Sequence, residues 1–533
     1  MKGASKTMRG RPRDVARKLL DEGHHAELLA LVDKLVAKNE ELERLIASAR
    51  TLRNRAETVS SEQLRLILDE LAAMPIDGNS ESGKAEADEK LAEAAKKHGG
   101  REEKTKPPKQ PALRRPPPPN LRRVDNPITV PEAERRCPKC LAMRKCVDHE
   151  TTEVIDLIPA EVIVRVDRRK ILACDRCDQE PIRAPLGDKV ISGGAYGSRL
   201  VSDLVVNKFW NGLPLNRQHE MLERLGLDMP NSSMGDQIHW ATELLEPIHR
   251  RLIGEVLTAT VLHVDATSLP VKDKDSATGL TIGSLWGYVG DESGAVFLYT
   301  RSGHKVAKAQ DEIGPETFLA ERKGFVVADA AGIFDASFER DDLVEVGCNM
   351  HARRYFVKAL DAGDKRAAVP LAAFKALYDV EAEARALDAD GRLGLRQRRS
   401  KPIYDELANW SRTYRPLEPP ESKLATATAY LLNHELALTR FLGDGRLPID
   451  NGIVERLHRR PAVGRRSYLF AGSHEGAKRA AIAYSVCATC NLLGVDPVAY
   501  LADVLPTLAR GIAFTEVPRL MPAAWKRQRA ASG

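Results

Sequence analysis

The sequence has no long apolar run. No stretch approaches the roughly 20 residues that a membrane-spanning helix needs, which excludes a helical membrane protein. The basic N-terminus lacks the apolar segment of a secretory signal. The chain is therefore expected to be soluble and cytoplasmic. Net charge is small for the length, +6 over 533 residues, but its distribution matters more than its total. Acids are missing from the first thirteen residues, which hold Lys2, Lys6, Arg9, Arg11 and Arg13. They are missing again from 104–123, which has seven Lys or Arg, and from 456–466. One such run alone is an ordinary solvated surface; three of them suit a polyanion. Cysteine is scarce, eight in all, and four of these form two CxxC pairs. In a reducing compartment that spacing points to metal binding before disulfides. No internal repeat is visible.

What is present divides along the chain. Length alone implies three or more domains. Residues 26–52 carry a heptad pattern: Leu28, Leu35 and Leu42 at d, and Val32, Asn39 and Ile46 at a. A single Asn at a fixes register in two-stranded coiled coils, although a short stripe of this kind also fits a helix packing on its own protein. A second helix is expected after the capping sequence Ser60, Ser61, Glu62, Gln63. Residues 76–128 turn polar, basic and then proline-rich, with seven prolines in 104–123, and read as a stiff linker.

Cys137 and Cys140 are followed, after 33 intervening residues, by Cys174 and Cys177. Two close thiolate pairs suit one structural, tetrahedral Zn²⁺. Strand-like runs at 153–158 and 162–166 between them give the plan of a zinc ribbon over 129–190. Cys146 or His149 could replace one ligand. Cys487 and Cys490 sit in an apolar helical run and read as core packing.

Residues 191–255 read as helices. Leu215, Met221, Leu222 and Leu225 have helical spacing, and Gly226 ends that helix. A short turn leads to a polar-fronted helix from Asn231, where Ser232 can serve as cap. This is the layout of a DNA-reading helix-turn-helix, with Arg217 and Gln237 as candidate contacts, and equally of many helical hairpins without such a role.

Three acids then stand out. The β-rich run 258–265 ends in Asp265. Runs at 283–289 and 295–300 make a hairpin, 305–320 reads as a helix, and the apolar run 324–328 leads into Asp329. Strand, strand, strand, helix, strand is the order of a ribonuclease-H-like core, whose first and fourth strands are adjacent and parallel. Asp265 and Asp329 would then be neighbours, and close carboxylates repel unless a cation lies between them. Two Mg²⁺ ions (or Mn²⁺) would resolve this and clamp the oxygens of a phosphodiester. Either Asp alone could be a mere turn starter. The third acid, Glu455, follows a helix start at Asp450 or Asn451 and shares a face with Arg459. Arg456, Arg459, Arg460, Arg465 and Arg466 are candidate phosphate contacts, or a surface ion-pair network.

The stretches HVDATSLPV, VVADAAGIFD, CNMHARRYF and DGRLPIDNGIVERLHRRPAVGRRSYLFAGSHEGAKRAAIAYS, with CPKC…CDRC, NKFWNGLPLNRQ, LGVDPVAYLADVL and LMPAAW, resemble the insertion-sequence 66 family of Asp-Asp-Glu transposases. The resemblance runs nearly the whole chain. It implies binding to the inverted-repeat ends of a mobile element in double-stranded DNA, then metal-dependent cleavage and strand transfer. It implies Asp265, Asp329 and Glu455 as the catalytic triad, and Cys348 and His351 as a Cys/His motif after the second Asp. A dimer or higher oligomer, small companion proteins of the same element and a place on the bacterial nucleoid are further expectations. A DNA-binding protein with an inactive core, or a nuclease without strand transfer, are the alternatives.

The expected architecture is multidomain α/β. N-terminal zipper helices occupy 1–75, the linker 76–128, the ribbon 129–190 and the helix-turn-helix-like helices 191–255. The ribonuclease-H-like core occupies 256–348 and 443–495, interrupted by an all-α insertion at 349–442, and 496–533 forms a tail.

Overall fold

The computed structural model describes residues 82–99, parts of 123–191 (continuously 160–172), 194–291, 293–301 and 312–532. The zipper, the second N-terminal helix, the proline-rich run (except Arg123) and the four ribbon cysteines lie outside the described residues. The chain divides into two compact units, one of 1–101, 186–215 and 232–533, the other of 102–185 and 216–231.

In the second unit, β1 (Ile171–Leu172) pairs antiparallel with β2 (Ile182–Arg183). The strand expected at 162–166 is not formed: these residues have no ladder, and Ile163, Val164 and Val166 are exposed.

Among the described residues, the first element of the first unit is α1 (Ser82–Gly99). This corrects the expectation of a linker through 76–128. Its Ala-, Glu- and Lys-rich sequence has high helix propensity, and Ala87, Leu91 and Ala95 make a stripe at spacing four. Leu91 is fully buried in a helical core, and Asp88 accepts hydrogen bonds from Trp410 Nε1 (2.6 Å) and Tyr414 OH (2.8 Å).

Four helices precede the sheet: α2 (Ser198–Phe209), α3 (Leu215–Arg224), α4 (Asn231–Leu244) and α5 (Glu246–Leu257). Gly226, at φ +85°, ends α3 as the sequence predicts, and Leu227 N donates to Leu222 O across the turn. Most of α3 falls in the second unit and most of α4 in the first.

The sheet holds β3 (Val261–Lys272), β4 (Leu280–Gly290), β5 (Gly294–Thr300), β6 (Gly324–Ala328) and β7 (Leu343–Gly347), in the order β5-β4-β3-β6-β7. The first three are antiparallel, and β3, β6 and β7 are parallel. The apolar runs of β4 and β5 are buried. Between β5 and β6, the described helix is α6 (Pro315–Leu319), shorter than the expected 305–320, of which 305–311 is not described. A short α7 (Asp335–Phe338) precedes β7.

From Asn349 to Gly443 the chain is helical: α8 (Asn349–Asp361), α9 (Ala368–Ala384), α10 (Ala389–Leu395), α11 (Lys401–Tyr414), α12 (Lys423–Asn433) and α13 (Glu435–Gly443). Phe356, Phe374, Trp410 and Phe441 fill its core, which α1 joins through Leu91. Arg396 is buried there, donating to Glu381 (2.7 Å) and to the carbonyls of Phe441 and Leu447 (both 2.9 Å).

The chain then returns to the sheet through α14 (Gly452–Tyr468) and α15 (His474–Leu492). Ser485 and Thr489 of α15 accept the amides of Phe297 (2.7 Å) and Ala295 (3.0 Å), covering the edge of β5. Cys487 and Cys490 are buried in this helix as core. The expected tail is folded instead: α16 (Pro497–Ala509) and α17 (Pro522–Ser532) meet where Tyr500 OH donates to Leu520 O at 2.8 Å and packs edge-on against Trp525.

Candidate active site

β3 and β6 run side by side, with Val261 opposite Phe325 and His263 opposite Val327. Two residues further along the chain from this last pair stand Asp265 and Asp329, the latter the first residue past β6, and the two carboxyls are near enough to feel each other's charge. Asp265 is not at a strand end, as the sequence suggested. β3 continues to Lys272 because β4 pairs with it along its length. Asp265 Oδ1 accepts from Ala266 N at 2.8 Å, and Asp329 Oδ1 from Ala331 N at 3.2 Å. Between these, Ala330 has φ +58°, so the chain turns sharply just after the second acid.

Glu455 stands one turn into α14, and the start of that helix is fastened to β3. Asn451, fully buried, donates Nδ2 to Val264 O at 2.7 Å, and its Oδ1 lies 3.0 Å from His263 Nδ1. Its own amide donates to Cys348 Sγ at 3.2 Å. Asn451 sits at the cap position, but its side chain reaches across to the strand rather than back to its helix. One turn beyond Glu455, buried His458 approaches Asp265 O with Nε2 at 3.1 Å. That approach requires a glycine on β4: a Cβ at Gly287 would lie 2.6 Å from the same nitrogen. Asn451 and His458 thus bracket Glu455 and bind successive carbonyls, those of Val264 and Asp265.

The Glu455 carboxylate faces α8. Oε1 is 3.6 Å from His351 Nδ1 and Oε2 is 3.7 Å from Arg354 Nη2. These two partners come from a segment about a hundred residues earlier in the chain. Cys348, at the cap of α8, is fully buried, and burial pushes its thiol up to about 12. The donor atoms of Cys348, His351 and Glu455 lie within 4.8 Å of one another.

Burial pushes the Asp265 carboxyl up to about 7, and the nearby negative charges of Asp329 and Glu455 push the same way. The Ala266 N–H and the Arg354 guanidinium oppose them. Three carboxylates with one arginine among them form a site whose charge invites a cation.

Among the arginines of α14, Arg456, Arg459, Arg460 and Arg466 are exposed. Arg460 stacks over the Trp210 ring at 4.9 Å, and Arg465 Nη1 bonds Ser268 Oγ (3.0 Å) and Thr267 Oγ1 (3.2 Å), so these two also hold the helix in place. Arg217 on α3 is exposed. Gln237 is only 9% exposed, on the inward side of α4, which corrects its reading as a base-contacting side chain. Sequence reasoning missed Arg354, Asn451 and His458. The available signals were the Arg353-Arg354 pair one turn after His351 and the positions of Asn451 and His458 one turn either side of Glu455. No helix among the described residues is long and apolar enough to cross a membrane.

The chain is 30% identical over 434 residues to the protein named Uncharacterized protein y4hP of Sinorhizobium fredii (strain NBRC 101917 / NGR234), covering 77% of each chain. It is 26% identical over 515 residues to Uncharacterized protein y4jD of the same strain, covering 94% of this chain and 96% of the relative. No solved structure matches. The family model described as Transposase IS66 family matches residues 193–479, more than half of the chain and all three acids. Membership implies a nucleotidyl-transfer enzyme, and the chain belongs to the IS66 family of transposases.

Proposed function

We propose that this chain cuts the ends of a mobile DNA element and joins them to target DNA, using Asp265, Asp329 and Glu455 to hold Mg²⁺ or Mn²⁺. The observation that carries this reading is the parallel pairing of β3 with β6, in register up to His263 and Val327, two residues before each acid, with a third acid on a helix fastened to the same strand. The donors fit divalent ions: hard oxygens in a half-buried pocket, with Asp265 held up to about 7 by burial and then by its acidic neighbours. The strand order supports a ribonuclease-H-like core interrupted by the helices from Asn349 to Gly443.

Bound divalent ions supply charge neutralisation at the phosphodiester and activation of the attacking oxygen. The chain's own contribution is position. Asn451 and His458 lock α14 to β3, so that Glu455 has one place relative to Asp265. Arg354 lies beside one Glu455 oxygen and leaves the other toward His351. The exposed Arg456, Arg459 and Arg466 extend from the acids along α14, where they would grip DNA phosphates. In this reading water cuts the strand and the freed 3′-hydroxyl attacks target DNA, with no covalent protein–DNA intermediate.

The same reading extends beyond the described residues. Cys137, Cys140, Cys174 and Cys177 would hold one structural Zn²⁺, the N-terminal heptads would pair two copies, and small companion proteins would assist. Incubation of the chain with linear DNA carrying the element's ends and a circular target, in Mg²⁺, tests the assignment. Joined products are expected; cut ends without joining would make the protein a nuclease.

A further inference from the structure

We propose that Cys348, His351 and Glu455 form a second metal site, for a zinc-type ion, abutting the acid pair and sharing Glu455 with it. The proposal rests on the acidic reading of Glu455 given above and adds a soft-donor site to it. Cys348 and His351 are three apart across the start of α8, so one helical turn presents a sulfur and an imidazole to the same point. Glu455 reaches that point from α14. The three donor atoms lie within 4.8 Å of one another.

The His351–Glu455 distance fits shared coordination better than a direct hydrogen bond. His351 Nδ1 and Glu455 Oε1 are 3.6 Å apart, too long for a hydrogen bond. Tetrahedral zinc, with bonds of about 2.0 Å to nitrogen or oxygen and about 2.3 Å to sulfur, sets neighbouring donors about 3.3–3.6 Å apart. Cys348 Sγ already accepts the Asn451 amide at 3.2 Å, the kind of bond that orients a metal-bound ligand. The site is enclosed: Cys348 is fully buried, and the His351 and Glu455 side chains are 17% and 22% exposed. Arg354 lies beside Oε2, while Oε1 faces His351. Thiolate, imidazole and carboxylate together select zinc-like ions over Mg²⁺, which prefers oxygen alone. Three protein ligands leave a fourth position open.

The experiment uses the full chain, stripped with chelator, reloaded with Zn²⁺ and desalted, with zinc per chain counted by atomic emission. Any zinc on the N-terminal cysteines is common to all variants and cancels in the difference. Wild type should hold one equivalent more than Cys348→Ala and one more than His351→Gln, while Asp265→Asn keeps the wild-type count. Cobalt substitution should show a thiolate-to-metal band weaker in Cys348→Ala than in wild type. If buried Cys348→Ala does not fold, as judged by circular dichroism, His351→Gln, which is nearer the surface, decides. Equal counts in wild type and His351→Gln overturn the site, as does loss of the equivalent in Asp265→Asn, which would put the ion on the acid pair. Magnesium-dependent cleavage is measured in parallel. Cleavage with no zinc difference overturns this inference alone; the zinc difference with no cleavage by wild type supports it and overturns the proposed function.

Discussion

Asp265 shows how one residue ties charge to stability. Its carboxyl is raised to about 7 in the folded chain, above the ordinary value near 3.9. A raised acid binds its proton more tightly when folded, so its stabilising contribution is complete below about pH 4 and is lost as pH rises through about 7. In chelator at pH 8 the wild type therefore carries a penalty on the order of a few kcal/mol, and Asp265→Asn should melt at a higher temperature. At pH 4 the two should melt together. Equal melting temperatures at pH 8 would contradict the burial of this carboxyl beside two other acids. Two buried histidines act in the opposite sense. Burial lowers His249 and His458 to about 4, so both are neutral in the fold. Their contribution is complete above about pH 6.5 and is lost as pH falls toward 4. Urea titrations at pH 7.5 and 5 should show a loss at the lower pH that is smaller in His249→Gln. An equal loss in that variant would clear His249 of the effect.

At the scale of elements, the geometry of the site depends on how α14 is seated. Gly287→Ala pushes a methyl to 2.6 Å from His458 Nε2, and should cost about 1–3 kcal/mol as the helix shifts, read as a lower denaturation midpoint. An unchanged midpoint would mean that His458 can move away freely. Much of this level was legible beforehand. The apolar runs of β4, β5 and β6 and the helical stretch after β7 follow from periodicity. β3 was cut short because Asp265, Thr267, Ser268 and Pro270 interrupt its apolar pattern, while a ladder to β4 holds it extended. α1 was hidden because a Lys- and Glu-rich segment reads as solvated until the surface that covers Leu91, some 300 residues away, is known. Asp88→Ala removes the acceptor of Trp410 and Tyr414; limited proteolysis should then cut within α1 faster than in wild type, and equal rates would show that the stripe alone docks it.

Across the whole molecule, the three acids stand out in the sequence as candidates, whereas the contacts that surround them do not. Asp265, Asp329 and Glu455 stand in short motifs; Arg354, Asn451 and His458 stand in the same stretches, but what they touch, a backbone carbonyl of β3 or a carboxylate about a hundred residues away, is set by the fold. The charge distribution, rather than its sum, points to DNA. Arg456, Arg459 and Arg466 are exposed together on α14. Changing all three to Ala should weaken binding to every DNA sequence. It should also flatten the dependence of log K on log salt by about 0.9 for each phosphate that is no longer neutralised. An unchanged slope would move the DNA path elsewhere. The central claim is that three acids form one metal-dependent cutting centre. Its most direct test is cleavage of end-bearing DNA in Mg²⁺ by wild type, Asp265→Asn, Asp329→Asn and Glu455→Gln, with DNA binding measured alongside. Each variant is expected to bind DNA nearly as wild type does and to cut none of it; near-normal cutting by any one of the three would contradict the claim.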